Sequence, residues 1–138
     1  MIQRYLFRIL LVDDDALDAS FVDRAFQDYR DNVLVRHVEG IDEAIAELSG
    51  NPFDIVILDI NLNGQSGLDA IADLRARSKT TLLPVIVFTS STSVDDVKKA
   101  FENGANAYVE KPLSIHGYRQ FAAKFLGFWA ELALIPAR

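Results

Sequence analysis

Short apolar runs alternate along this chain with stretches whose apolar residues recur every three or four positions. The runs are "ILLV" (9–12), "VLVRHV" (33–38), "DIVILD" (54–59), "PVIVFT" (84–89) and "AYVE" (107–110). Their length and their β-branched content predict five strands. In the first, third and fourth the apolar character is continuous instead of alternating. That is the pattern of strands covered on both faces, as a parallel sheet requires.

Helical spacing fills the gaps. From Leu17 the residues Phe21, Val22, Ala25, Phe26 and Tyr29 share one stripe, with Asp18, Asp23, Arg24 and Asp28 on the wet side. "DEAIAEL" (42–48), "GLDAIADLRAR" (67–77) and "VDDVKKAFENG" (94–104) repeat the pattern. Ser66 with Asp69, and Ser93 with Asp96, have the spacing of a capping box, and Gly104 can take the left-handed turn that ends a helix. Ser114 is placed to cap a long last helix, "IHGYRQFAAKFLGFWAELAL" (115–134). Strand and helix alternate five times, which predicts an α/β fold: a five-stranded, doubly wound parallel sheet with right-handed crossovers and an extended C-terminal helix. No internal repeat or linker interrupts it, so residues 1–138 read as a single domain with no output domain.

Composition narrows the function classes. The 138 residues are 50% apolar and 25% charged, as in a globular domain. With 14 basic against 20 acidic side chains the formal charge is −6, which repels nucleic acid and anionic lipid surfaces; neither is expected as a partner. The absence of cysteine removes disulfides, thiolate zinc sites and cysteine nucleophiles. The start "MIQRYLFRILLVDDD" is broken by Arg8, and no run approaches the roughly 20 apolar residues of a membrane span, so a cytoplasmic protein is expected.

Candidate chemistry gathers where the strands end. Doubly wound sheets bind ligands at the carboxyl ends of their strands, near the point where strand order reverses. Those ends carry Asp13 and Asp14 after the first strand, Asp59 after the third, Thr89 on the fourth, and Lys111 with Pro112 after the fifth. Carboxylates ~5 Å apart repel by about 3 kcal/mol per pair at an effective dielectric near 20. A proton could relieve the crowding by raising one pKa; an all-oxygen cluster is also the natural seat of a hard cation such as Mg²⁺. The metal reading assigns Asp13, Asp14 and Asp59 as ligands, with the backbone carbonyl of Asn61 as a further oxygen. Beside a divalent cation and Lys111, Asp59 can attack a phosphoryl group, with Thr89 and Lys111 meeting its oxygens.

The motifs "VDDD", "VILDINLNGQSGLD", "VIVFTSS" and "YVEKP", in this order, resemble those of the receiver domain of two-component response regulators, a flavodoxin-like fold, over essentially the whole chain. The resemblance implies that Asp59 accepts a phosphoryl group from a histidine kinase, that Asp13 and Asp14 bind Mg²⁺, that Thr89 is the switch hydroxyl and Lys111 the site lysine. It implies a cis peptide before Pro112 and an aromatic switch at Tyr108. Asn61 and Ser91 match positions that tune dephosphorylation. Where many receivers carry proline, this chain has Asn63. Such a module modifies only itself and acts by binding, and its downstream target is not legible.

Blander readings compete at several positions. Asp15 fits a helix cap better than a third ligand; His37 and His116 lack a partner histidine and receive no function. In the last segment Phe121, Phe125, Trp129 and Leu132 fit one face toward the sheet, whereas Phe128, Leu134 and Ile135 point elsewhere. Aromatic surface of that kind marks all seven as a self-association interface. The ending "FLGFWAELALIP" is similar to single-domain regulators paired with phytochromes, implying a homodimer and a bacterial phytochrome as donor. A haloacid dehalogenase-type hydrolase would need an acid/base aspartate two residues after the nucleophile, where Asn61 stands. A flavodoxin-like nucleotide binder would need a glycine-rich or hydroxyl-rich loop where this chain has three aspartates.

Overall fold

The computed structural model describes residues 6–136, so both ends of the 1–138 span lie outside the described residues. In chain order the elements are β1 (Phe7–Val12), α1 (Ala16–Phe26), β2 (Val33–Val38), α2 (Ile41–Gly50), β3 (Ile55–Leu58), β4 (Asn61–Leu62) and β5 (Gln65–Ser66). There follow α3 (Gly67–Ala76), β6 (Val85–Thr89), α4 (Val94–Glu102), β7 (Ala107–Glu110) and α5 (Ile115–Leu126). A 3₁₀ turn, Gln27–Tyr29, extends α1, and a π-helical stretch, Gly127–Leu132, extends α5.

Five strands form one parallel sheet in the order β2-β1-β3-β6-β7. Continuous apolar strands are explained by two cores. Ile9, Leu11, Ile55, Ile57, Ile86 and Phe88 face α1 and α5, while their neighbours Leu10, Val12, Val56, Leu58, Val85 and Val87 face α2, α3 and α4. Because side chains alternate along a strand, each of these strands must carry apolar residues on both faces to serve both cores. The caps fall where expected: Asp15 accepts from Leu17 N and Asp18 N, Ser66 from Asp69 N, Ser93 from Asp96 N and Ser114 from Gly117 N.

Two features depart from the sequence reading. The loop after Asp59 folds into a small antiparallel hairpin, with Asn61 opposite Ser66 and Leu62 opposite Gln65. Its two-residue turn is Asn63–Gly64, both at positive φ, 36° and 80°. Asn-Gly is the preferred sequence for a hairpin turn of that hand, so Asn63 gives the loop a defined shape without proline. The second departure is the end of the chain's last helix, where α winding gives way to i→i+5 bonding, as in Ala133 N to Phe128 O at 2.7 Å. The wider turn shifts the phase of every later residue. Leu132, expected against the sheet, is 74% exposed, and Ile135, expected to point away, packs on the core beside Phe121 and Trp129.

Gly67 seats α3 on the end of β3. A Cβ there would lie 2.5 Å from the Asp59 carbonyl oxygen and 2.6 Å from Ile60 Cα, both backbone atoms that cannot swing aside. Gly67→Ala is therefore expected to destabilise the fold by about 1–3 kcal/mol, seen as a lower denaturant midpoint at unchanged slope. Gly50→Ala adds its carbon to open space and should change stability by no more than about 1 kcal/mol.

Candidate functional site

The point where strand order reverses lies between β1 and β3, and the site is built there. Val12 pairs with Leu58, and Asp59 N donates to Val12 O at 2.9 Å, so Asp13 and Asp59 leave the sheet side by side. Each has one oxygen fixed by the backbone: Asp13 Oδ1 accepts from Asp15 N at 2.9 Å, and Asp59 Oδ1 from Asn61 N at 3.1 Å. Their other oxygens meet Lys111, which follows β7 and whose own N–H is held by Thr89 O at 2.8 Å. Lys111 Nζ lies 2.8 Å from Asp59 Oδ2 and 2.9 Å from Asp13 Oδ2. Asp13, Asp59 and Lys111 are all buried.

A fourth side chain joins them. Asp18, on the first turn of α1, accepts from Lys111 Nζ at 2.8 Å across 93 positions of sequence. Helical periodicity assigned Asp18 to the wet face, and no spacing rule connects it to Lys111. The signal in the sequence was subtler: Asp15 already satisfies the first amides of α1, leaving a second early carboxylate without a capping role.

Burial alone would push the Lys111 ammonium down, but its contacts with the Asp18, Asp59 and Asp13 carboxylates outweigh it and hold the pKa well above the ordinary lysine range. Asp13 moves up, chiefly because burial penalises its charge; the Asp59 charge adds to this, and Lys111 and the Asp15 amide only partly offset it. The buried Asp13 Oδ2 has Lys111 as a charge partner yet no aligned hydrogen, so its hydrogen-bonding capacity is unmet.

Asp14 lies apart from the buried cluster, half-exposed, lining an open cleft with Asn61, Ser66 and Asp96. Among the described residues no three acidic or histidine side chains form a ready-made metal cage, and Asp13 and Asp59 share the Lys111 ammonium. The donors are nonetheless all oxygen, and one buried oxygen lacks a hydrogen, which fits a hard divalent cation better than any softer metal.

Thr89, Ser91 and Tyr108 form a second network. The buried Thr89 hydroxyl accepts weakly from Ser91 N at 3.5 Å, Ser91 Oγ donates to Asp96 Oδ2 at 2.6 Å, and Tyr108 OH donates to Ser91 O at 2.9 Å. Burial raises the Tyr108 pKa, so it stays a donor. His37, given no function, brings Nε2 within 2.6 Å of the Asp13 carbonyl. The Lys111–Pro112 bond is trans, against expectation; no cis peptide occurs among the described residues. Trans geometry already brings Nζ to three carboxylates, so nothing here demands the less stable isomer.

A five-stranded doubly wound parallel sheet gathers Asp13, Asp59 and Lys111 on one rim, at the point where strand order reverses. The chain belongs to the response regulator receiver domain family, whose model matches residues 9–121. It is 26% identical to the response regulator Rcp1 of Synechocystis over 137 residues, covering 94% of this chain and 92% of that one. Among solved structures, the Mn²⁺-bound form of Rcp1 superposes with a TM-score of 0.84 at 25% identity, over 95% of this chain and 99% of that one. The phosphorylated cyanobacterial phytochrome response regulator RcpA shares the fold with a TM-score of 0.89 at 24% identity, over 96% and 99%. Two transcriptional regulators that it also matches are longer; the chain spans 46% and 44% of them. No helix among the described residues is long and apolar enough to cross a membrane.

Because the folded Asp13 pKa lies above its unfolded value of 3.8, its charge opposes folding at neutral pH, and the penalty fades as pH falls through the raised value. Without added divalent cation, Asp13→Asn should therefore be more stable than the wild type at pH 7. Chemical denaturation in steps down to pH 3.5 should show that advantage shrinking.

Proposed function

We propose that this receiver takes a phosphoryl group from a histidine kinase onto Asp59 and changes its surface for a binding partner. The carrying observation is the Asp59 carboxylate with one oxygen fixed by Asn61 N–H and the other on the Lys111 ammonium. A carboxylate oxygen of Asp59 attacks phosphorus; the bond from phosphorus to the kinase imidazole nitrogen breaks, and its electron pair stays on that nitrogen. Lys111 meets the charge on the equatorial oxygens, and the Thr89 hydroxyl donates to one of them once its loop draws in. Asn61 has no acid/base function, so the domain catalyses only its own phosphorylation and dephosphorylation.

Asp13, Asp14, Asp59 and the Asn61 carbonyl are the oxygens that would hold Mg²⁺. When bound, the ion supplies positive charge that neutralises the phosphoryl oxygens. The likeness to Mn²⁺-bound Rcp1 and the unmet Asp13 oxygen support this assignment. The switch is read as the Thr89–Ser91–Tyr108 network: drawing Thr89 toward the phosphoryl group displaces Ser91 and frees the Tyr108 hydroxyl. Ser91 and Asn61 tune how water reaches the acyl phosphate.

The sensor assigned as donor is of the bacterial phytochrome type, on the pattern of "FLGFWAELALIP" and the near full-length match to Rcp1. We read the protein as cytoplasmic, with no nucleic-acid or membrane partner, and as a homodimer. Phe128 is exposed on the wall of a groove lined also by Val109, Phe121, Lys124, Phe125 and Trp129, and Leu134 is exposed further along the chain. Leu132 is exposed in the same segment, while Ile135 anchors it.

Acetyl phosphate with Mg²⁺ should add one phosphoryl group by intact mass, and none to Asp59→Asn. An adduct of equal yield on Asp59→Asn would refute the assignment. Sedimentation of the wild type should give a dimer, and the pair Phe128→Glu with Leu134→Glu should weaken association at least about tenfold, since each buries a charge in an apolar contact.

A further inference from the structure

The phosphoryl-transfer reading above leaves Asp18 without a part, although it makes one of the shortest contacts to Lys111. A lysine ammonium has three N–H donors in all. One goes to Asp59 Oδ2 and one to Asp18 Oδ2, both at 2.8 Å, while Asp13 Oδ2, at 2.9 Å, is an ion-pair partner without a hydrogen bond. Asp59 is the atom to be phosphorylated, and Asp13 is an oxygen ligand for the cation. Each has other work once the reaction starts. Asp18 alone among the three does not.

Its setting suits a fixed role. Asp15 fills the cap of α1, accepting from Leu17 N and Asp18 N, so the Asp18 side chain is not needed to close the helix. The turn that carries it is anchored by Ala19 and Val22, both buried. Asp18 is the most open of the three carboxylates, 26% exposed at its side chain against 8% for Asp59 and 1% for Asp13. It therefore holds the ammonium from the outer side, while the inner carboxylates change partners.

We propose that Asp18 is the positioning residue for Lys111, keeping the ammonium aimed at the phosphoryl position while Asp13 and Asp59 are engaged elsewhere. Without Asp18 the flexible four-carbon stem regains rotamers and the charge loses its direction. The proposal rests on the phosphorylation of Asp59, and its test separates the two.

Full-length wild type, Asp18→Ala, Asp18→Asn and Asp59→Asn are compared for phosphorylation by acetyl phosphate across a Mg²⁺ series. Asp18→Ala is expected to lower the maximal rate roughly tenfold, a typical cost of a misdirected catalytic group. The Mg²⁺ concentration giving half that rate should stay within about twofold, because no cation ligand is touched. Asp18→Asn should recover most of the rate, since its Oδ1 still accepts from Nζ. Independently of any reaction, the exchange-protected ¹H–¹⁵N resonance of the Lys111 ammonium should vanish in Asp18→Ala and persist in Asp18→Asn. A wild-type maximal rate in Asp18→Ala overturns the proposal. So does a protected ammonium signal in that variant, a loss expressed only as a higher Mg²⁺ requirement, or an Asn variant no better than Ala. If the wild type itself gains no phosphoryl group on Asp59, the reading of the reaction fails, while the ammonium resonance still reports whether Asp18 holds Lys111.

Discussion

One buried ammonium organises this protein's working rim. Three carboxylates from two parts of the chain, Asp13 and Asp18 around the β1–α1 junction and Asp59 after β3, converge on Lys111 from the far end of the sheet. Removing a charge from water is costly, and these groups tolerate burial only because opposite charge and backbone amides meet them. Everything else at the rim is arranged around keeping that balance. The backbone holds one oxygen of Asp13 and one of Asp59, and the second of each meets the Lys111 ammonium. The balance is incomplete, since acidic groups outnumber the single lysine, and that surplus makes the pocket receptive to further positive charge.

The sheet converts this local chemistry into something transmissible. Lys111 and Thr89 are tied through their backbones, so the cluster and the Thr89–Ser91–Tyr108 network share an edge. Tyr108 lies on the core face shared by α2, α3 and α4, on the other side of the sheet from the groove beside α5. The core under both networks is close-packed, and such cores rearrange between discrete states instead of deforming smoothly.

Much of this was legible in the sequence, for identifiable reasons. The strands that serve two cores were visible because both faces of β1, β3 and β6 must be apolar. The caps at Asp15, Ser66, Ser93 and Ser114 were visible because they act within three residues. Asp13, Asp59 and Lys111 were brought to one rim by strand parity and the rule for strand ends. Asp18 was missed because its partner lies 93 residues away on an unrelated element, where no periodicity reaches. The Asn63–Gly64 hairpin was missed although its turn signal was present, because two-residue strands leave no alternation to read. The exchange of places between Leu132 and Ile135 was invisible for a different reason: a pattern assumed to repeat at α spacing carries no warning of a change in winding.

That change in winding separates two inheritances within one chain. A π turn is what a helix forms when it accommodates a single extra residue, and the consequence here is confined to the tail, remote from Asp59. Adding or deleting one codon between 127 and 132 would rotate the terminal apolar residues around the helix axis while leaving every atom of the rim in place. Tail and rim can therefore diverge independently, by length on one side and by side chain on the other.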